Sequence, residues 1–176
     1  GGPAKRDPKT RQSADHSMVY IVSTMLRKAI EAEGTRFLEG SSDDAWKQLM
    51  LTPYDFNLEA IDHPMTRRLM ETISFTHGGS DFDKRYPDGI PTSMVIETSD
   101  GQSFDSGLVM YPAGHARCTT CDLDDLLAAK FAMHGGIAFD DPASIIAGLE
   151  RIGDMSIGDV LGIWDCALAD RPTYLD

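Results

Sequence analysis

Apolar residues at Val19, Val22, Met25, Leu26 and Ile30 recur every three or four positions, which predicts an amphipathic helix from about residue 15 to Glu33. Asp15 or Ser13 can cap its start, and Gly34 can stop it. The next apolar group, Trp46, Leu49 and Met50, predicts a short helix capped by Ser42 or Asp43 and ended by Pro53. Met65, Leu69, Met70 and Ile73 predict a third helix, opened by Asp62 with Pro64 in its first turn. From His77 to Pro91 the periodicity disappears, and HGGSDFDKRYPDGIP reads as a long loop.

The period then changes from helical to alternating. SMVIETSDGQSFDSGLVMY holds two β-rich runs on either side of Asp100-Gly101, a dipeptide favoured in tight hairpin turns, which predicts strands over 93–98 and 103–110. Helical patterning returns afterwards. One helix should run from its cap at Asp122 to about His134 and stop at Gly135-Gly136; a second should start at Pro142 and reach about Arg151; a third should run from a Ser156 cap through Trp164. Helices, a hairpin and then helices argue for an α+β fold, a small antiparallel sheet packed by helices and followed by C-terminal helices. The opening GGPAKRDPKTRQSAD is glycine, proline and charge without a period, and reads as a disordered lead-in, a tag remnant or a linker. The chain therefore divides into a lead-in over 1–13, an α+β unit over 14–121 and a helical segment over 122–176.

Composition narrows the function classes. With 176 residues, 41% of them hydrophobic, the chain is long enough to bury a core. Asp and Glu number 28 against 16 Lys and Arg, so the net charge of −12 repels polyphosphate and nucleic acid is not an expected partner. No apolar run approaches the roughly 20 residues a membrane helix needs, so no membrane association is expected. Three cysteines, an odd and small number, point to a reducing compartment, the cytoplasm or, in a eukaryote, the mitochondrial matrix. Phosphate-binding glycine loops, serine-hydrolase elbows and HExxH zinc motifs do not occur.

Two stretches carry candidate chemistry. On the first helix His16, Tyr20, Ser23 and Arg27 are spaced four, three and four apart and share one face. A histidine and a tyrosine one turn apart suit proton transfer or carboxylate anchoring, and the arginine suits an anion, although the same spacing also fits a solvated face. In GHARCTTCDLDDLL, His115, Cys118 and Cys121 offer three zinc-compatible ligands, with His134 or Cys166 as a fourth, but a second tightly spaced pair is missing. A redox CxxC would want a βαβ setting, and two ordinary cysteines beside a helix cap account for the same residues. His115 and Arg117, between a strand end and a helix start, also suit an anion, against the acidic pull of Asp124 and Asp125. His77-Gly78-Gly79 and Lys84-Arg85-Tyr86 are comparable candidates on the long loop.

ADHSMVYIVSTMLRKA, RYPDGIPTSMVIETSDGQSFDSGLVMYPAGHAR and DLDDLLAAKF together resemble the C-terminal part of the MmgE/PrpD family, whose best-known members are 2-methylcitrate dehydratases. The resemblance covers residues 14 to about 165, and its most specific pieces are DHSMVY and the hairpin ending in YPAGH. It implies a lid of α+β type whose terminal helices return to a larger helical domain, with the active site between them. It implies metal-independent lyase or isomerase chemistry on small polycarboxylates without a cofactor: dehydration, or in related branches decarboxylation of cis-aconitate or epimerisation of iminodisuccinate. The chain would then need a helical domain, from an N-terminal region or a partner chain, and is expected to form a homo-oligomer. By the resemblance Tyr20 and His16 are the catalytic candidates and Ser17 and His115 match further polar positions of the family's motifs, while Cys118 and Cys121 fall where relatives carry other residues. With Arg27 and Arg117, the weaker anion contacts suggested by their own charge and placement, Ser17 and His115 make up the substrate-binding candidates. The isolated chain is expected to be inactive. A non-catalytic docking or ligand-binding module is the alternative from a different class.

Overall fold

A computed structural model describes residues 3–32 and 42–170. The expected helix stop at Gly34 and the GTRFLEGS stretch after it lie outside the described residues, as do residues 1–2 and 171–176.

The segment expected as a disordered lead-in is folded. It forms two short helices, α1 (Pro3–Arg6) and α2 (Arg11–Asp15). Thr10 and Ser13 close a reciprocal capping box, Ser13 N donating to Thr10 Oγ1 at 3.2 Å and Thr10 N to Ser13 Oγ at 3.0 Å. Between the helices Pro8 is fully buried, and Arg67 donates to the Pro8 carbonyl at 2.7 Å and to Asp7 at 2.6 Å. These long-range contacts hold a stretch whose composition alone argues for disorder. Ser13 and Asp15 therefore do not cap the main helix. That helix, α3 (Met18–Glu31), is capped by Ser17, whose hydroxyl accepts from Tyr20 N.

After α4 (Ser42–Leu49), Pro53 does more than end a helix: it opens a 3-10 turn over Pro53–Phe56. Asn57 then caps α5 (Leu58–Ile61) through its side chain. In α6 (Pro64–Thr72) the proline occupies the first turn as expected, but the cap position is His63, and Asp62 instead pairs with Arg67 at 2.9 Å. α3 packs along α6, and Ala14, Val19, Tyr20, Ile61 and Met70 form the core with Phe56 and Ile73 against it. The buried side of α3 is Val19, Tyr20, Ser23 and Thr24, whereas Ile30 stands 55% exposed. The face read as polar and available is thus partly the buried one, because α6 presents Thr66 and Met70 to it.

The expected long loop at 77–91 contains α7 (Gly79–Arg85). Phe82 and Tyr86, four residues apart, stack at 5.7 Å, and His77 packs edge-on against Phe82. The hairpin forms where expected but is shorter, with β1 (Val95–Glu97) antiparallel to β2 (Ser103–Asp105), Val95 opposite Asp105, and one further bridge between Thr92 and Val109. Its turn is not the tight two-residue form. Thr98 N donates to Gln102 O across a three-residue loop, and Gly101 takes φ +86, the left-handed step such loops need.

In the last third, Asp122 caps α8 (Leu123–Ala138) as expected, but the helix runs straight through Gly135-Gly136. A Cβ at position 135 would lie 2.8 Å from Pro142 Cβ, so this glycine allows α9 (Pro142–Glu150) to approach rather than ending α8. α10 (Ile157–Gly162), capped by Ser156, stops two residues short of Trp164. The α+β class holds, with the sheet reduced to two short strands.

Burial is uneven. Over residues 92–170 the buried positions are Leu126, Ile145 and Gly148, while Ile157, Leu161, Trp164 and Leu168 are all more than half exposed. The chain exposes 12245 Å², against roughly 8,500 Å² by the usual scaling for a monomer of this mass. No helix among the described residues is long and apolar enough to cross a membrane.

Candidate functional site

The residues expected to act together do not form one site. Ser17 is fully buried: as the cap of α3 it accepts from Tyr20 N at 3.2 Å, and its hydroxyl donates to the Lys5 carbonyl at 2.5 Å. Both hydrogen bonds are structural. Tyr20 is also fully buried. Its ring lies 5.9 Å from Phe56, and its hydroxyl donates to the Asp55 backbone carbonyl. Burial, helped by the Asp55 charge, pushes the phenol above its ordinary value, so it stays neutral and acts as a donor.

Asp55 is the centre of this region and was not foreseen. Its Oδ2 accepts from Thr52 N at 2.7 Å, Thr52 Oγ1 at 3.1 Å and Lys28 Nζ at 3.0 Å, and Lys28 also reaches the Met50 carbonyl at 2.8 Å. Arg27, only 12% exposed at its side chain, pairs with Glu31 at 2.9 Å and more loosely with Asp55 at 3.8 Å. Its charge is already balanced by two carboxylates, which argues against a clamp for a substrate anion. The signal for this hub was the Thr52-Pro53-Tyr54-Asp55 string, a capping-box spacing with proline at the first helical position.

His16 behaves differently from its neighbours. It closes α2 rather than opening α3, so it does not share the Tyr20 face, and it is exposed. Its Nδ1 lies 2.9 Å from the Gln12 carbonyl. A carbonyl only accepts, so Nδ1 carries a proton, and in the neutral ring Nε2 is the nitrogen left to accept one. That is the arrangement a general base needs.

His115 and Arg117 lie at the end of the hairpin. His115 Nδ1 accepts from Arg117 N at 3.0 Å, and its ring stacks on Tyr111 at 4.8 Å. Arg117 bonds Asp88 at 2.9 Å and the Tyr111 hydroxyl at 3.3 Å. This cluster ties the hairpin to the loop after α7. Neither residue is hydrogen-bonded or ion-paired to α3 among the described residues.

Cys118 and Cys121 are free thiols joined through Thr120, whose hydroxyl lies 3.3 Å from one sulfur and 4.0 Å from the other. The Thr120 hydrogen bond holds Cys118 below its ordinary range, and burial pushes Cys121 above it. Among the described residues no group of three or more His, Cys, Asp and Glu side chains is placed to hold a metal ion, so His115, Cys118 and Cys121 do not converge as ligands. The redox setting is also missing, because the strand before α8 belongs to an antiparallel hairpin rather than a βαβ unit.

Two cavities flank α2. One of about 690 Å³ lies between α2, the 51–56 turn and His134; the other, of about 410 Å³, opens beside His16. No protein-family model, curated protein or solved structure matches the chain.

Proposed function

We propose that this chain is the C-terminal lid region of a MmgE/PrpD-type lyase that dehydrates a small tricarboxylate such as 2-methylcitrate, completed by a helical domain from the same polypeptide or a partner chain. The DHSMVY and YPAGH motifs support the family. The observation that carries the need for a second domain is the apolar surface of residues 92–170, where Ile157, Leu161, Trp164 and Leu168 stand more than half exposed. Patches of that kind mark surfaces that pack on something else.

In such a dehydration a base takes the proton next to a carboxylate, the carbon–oxygen bond breaks, and the departing hydroxyl is protonated and leaves as water. His16 suits the base role because it is exposed and its Nδ1 is engaged by the Gln12 carbonyl, leaving Nε2 for a substrate proton. Tyr20, buried and bonded to Asp55, enters as a positioning residue that fixes α3 against the 53–56 turn. The acid and most carboxylate contacts come from the helical domain.

The test is to combine this chain with a helical domain of the family and follow formation of the unsaturated product. Turnover should require both parts and should fall at least about a hundredfold in kcat for His16→Gln. Turnover by the isolated chain would overturn the proposal. The exposed apolar surface equally favours a docking module, and a stable complex that turns over no tricarboxylate would establish that second reading instead.

A further inference from the structure

The 410 Å³ groove beside His16 is lined by Lys5 and Arg6 from α1, by Asp15 and His16 at the end of α2, by Met18 and Ile21 on α3, and by Phe75 beyond α6. On a chain with net charge −12 it gathers two fixed cations and a histidine against one carboxylate. Acidic groups more than about 10 Å away are largely screened at ordinary ionic strength, so this local balance decides what the groove attracts.

The cationic side chains are set for use in different ways. Arg6 is held in place: one terminal nitrogen donates to the Ile73 carbonyl at 2.9 Å, and its guanidinium sits 5.3 Å from the centre of the Phe75 ring. Among the described residues the rest of its fork has no hydrogen-bond or ion-pair partner, and a planar fork suits a carboxylate. The Lys5 ammonium has no hydrogen-bond or ion-pair partner among the described residues, although the Lys5 carbonyl is fixed by Ser17. His16 presents Nε2. The acid nearest in sequence, Asp7, is already taken by Lys9 and Arg67 and does not neutralise the pair. The groove also explains Met18 and Phe75, both more than half exposed, as the apolar wall for a carbon skeleton. Its volume falls within the roughly 300–1,000 Å³ of small-molecule pockets.

We infer that this groove binds a small organic anion carrying at least two carboxylates, with Lys5 and Arg6 taking the carboxylates and His16 Nε2 beside the carbon skeleton. In naming a polycarboxylate the inference rests on the lyase reading; the charge and shape of the groove do not. Lys5 and Arg6 are then binding residues that neither motif spacing nor the family resemblance singled out.

Citrate is the probe, with sulfate and uncharged glycerol as controls, titrated into the isotopically labelled 176-residue chain while backbone amide and His16 ring signals are followed by NMR. Saturable shifts are expected at His16, Met18, Ile21 and Phe75 with citrate and not with glycerol. Lys5→Gln and Arg6→Gln should each weaken binding by about tenfold or more, the value of a lost charge-assisted hydrogen bond. Asp15→Asn should tighten it, an outcome that damage to the fold would not produce. No saturable citrate response, equal response to sulfate, or shifts confined to the cavity around Arg11 and His134 would each overturn the inference. Citrate binding without turnover in the two-part assay would sink the lyase reading and leave the groove; turnover that survives Lys5→Gln and Arg6→Gln would sink the groove and leave the lyase.

Discussion

Replacing Tyr20 by Phe separates a structural hydroxyl from a catalytic one. The ring contacts survive the change, because Phe keeps the packing against Phe56 and the place in the Ala14, Val19, Ile61 and Met70 core. What is lost is one hydrogen bond to the Asp55 carbonyl in a part-buried setting. The bond itself contributes about 0.5–1.5 kcal/mol, and a carbonyl left without its donor adds to the cost. The sum is about 1–2 kcal/mol, a five- to thirtyfold change in the folding equilibrium. Tyr20→Ala removes the ring as well and should cost about 3–5 kcal/mol. Urea denaturation of both variants beside the parent, with the slopes compared to check for two-state behaviour, reads these differences directly. A Tyr20→Phe variant as stable as the parent would refute the reasoning, since a hydroxyl that adds no stability is not holding Asp55.

The same bond has a pH signature. The folded-state phenol titrates above its ordinary value of 10.0, mainly through burial. A raised value means that its contribution is complete below the unfolded pKa and is lost as the pH rises through the folded one. The parent should therefore lose stability in the alkaline range faster than Tyr20→Phe, and the gap between them should close there. Parallel curves would mean that the phenol titrates freely.

Ser17→Ala removes the cap of α3 and its tie to Lys5, and should cost about 1–2 kcal/mol by denaturation, with fraying of the first turn visible in amide exchange. Thr66→Val should leave stability unchanged or raise it slightly, because the Thr66 hydroxyl is buried without a hydrogen-bond partner among the described residues, on a helix that packs along α3; a loss above about 1 kcal/mol would show that the hydroxyl is bonded. Cys118 should react with iodoacetamide faster than Cys121 near neutral pH, read by mass spectrometry of timed samples, since Thr120 lowers the first thiol and burial raises the second. Equal rates would remove the distinction between them.

Elements with strong local signals were legible, and those set by distant contacts were not. The cores of α3, α6 and α9 follow from apolar spacing and proline, and the hairpin follows from β-rich runs around Asp100-Gly101. The N-terminal helices escaped notice because their order comes from Arg67, some sixty residues away, which no local window contains. Gly135 read as a stop because a glycine's role depends on what approaches it, and Pro142 is folded back against it. α7 was hidden by flanking glycines and proline, although Phe82 and Tyr86 at helical spacing carried the signal.

The grouping of the site residues depends on a related point. Spacing four, three and four places His16, Tyr20, Ser23 and Arg27 on one face only if a single helix carries them, and the Ser17 cap breaks the chain between His16 and the rest. Once the break is placed there, Tyr20 and Ser23 turn inward against α6 while His16 stays outside with Lys5 and Arg6. The capping serine thus does two jobs through one hydroxyl. It starts the helix that buries Tyr20, and through the Lys5 carbonyl it fixes the short α1 helix whose side chains make the groove basic. The chemistry expected along one helix face is divided between a buried support and an open groove, and the divide lies at a single residue.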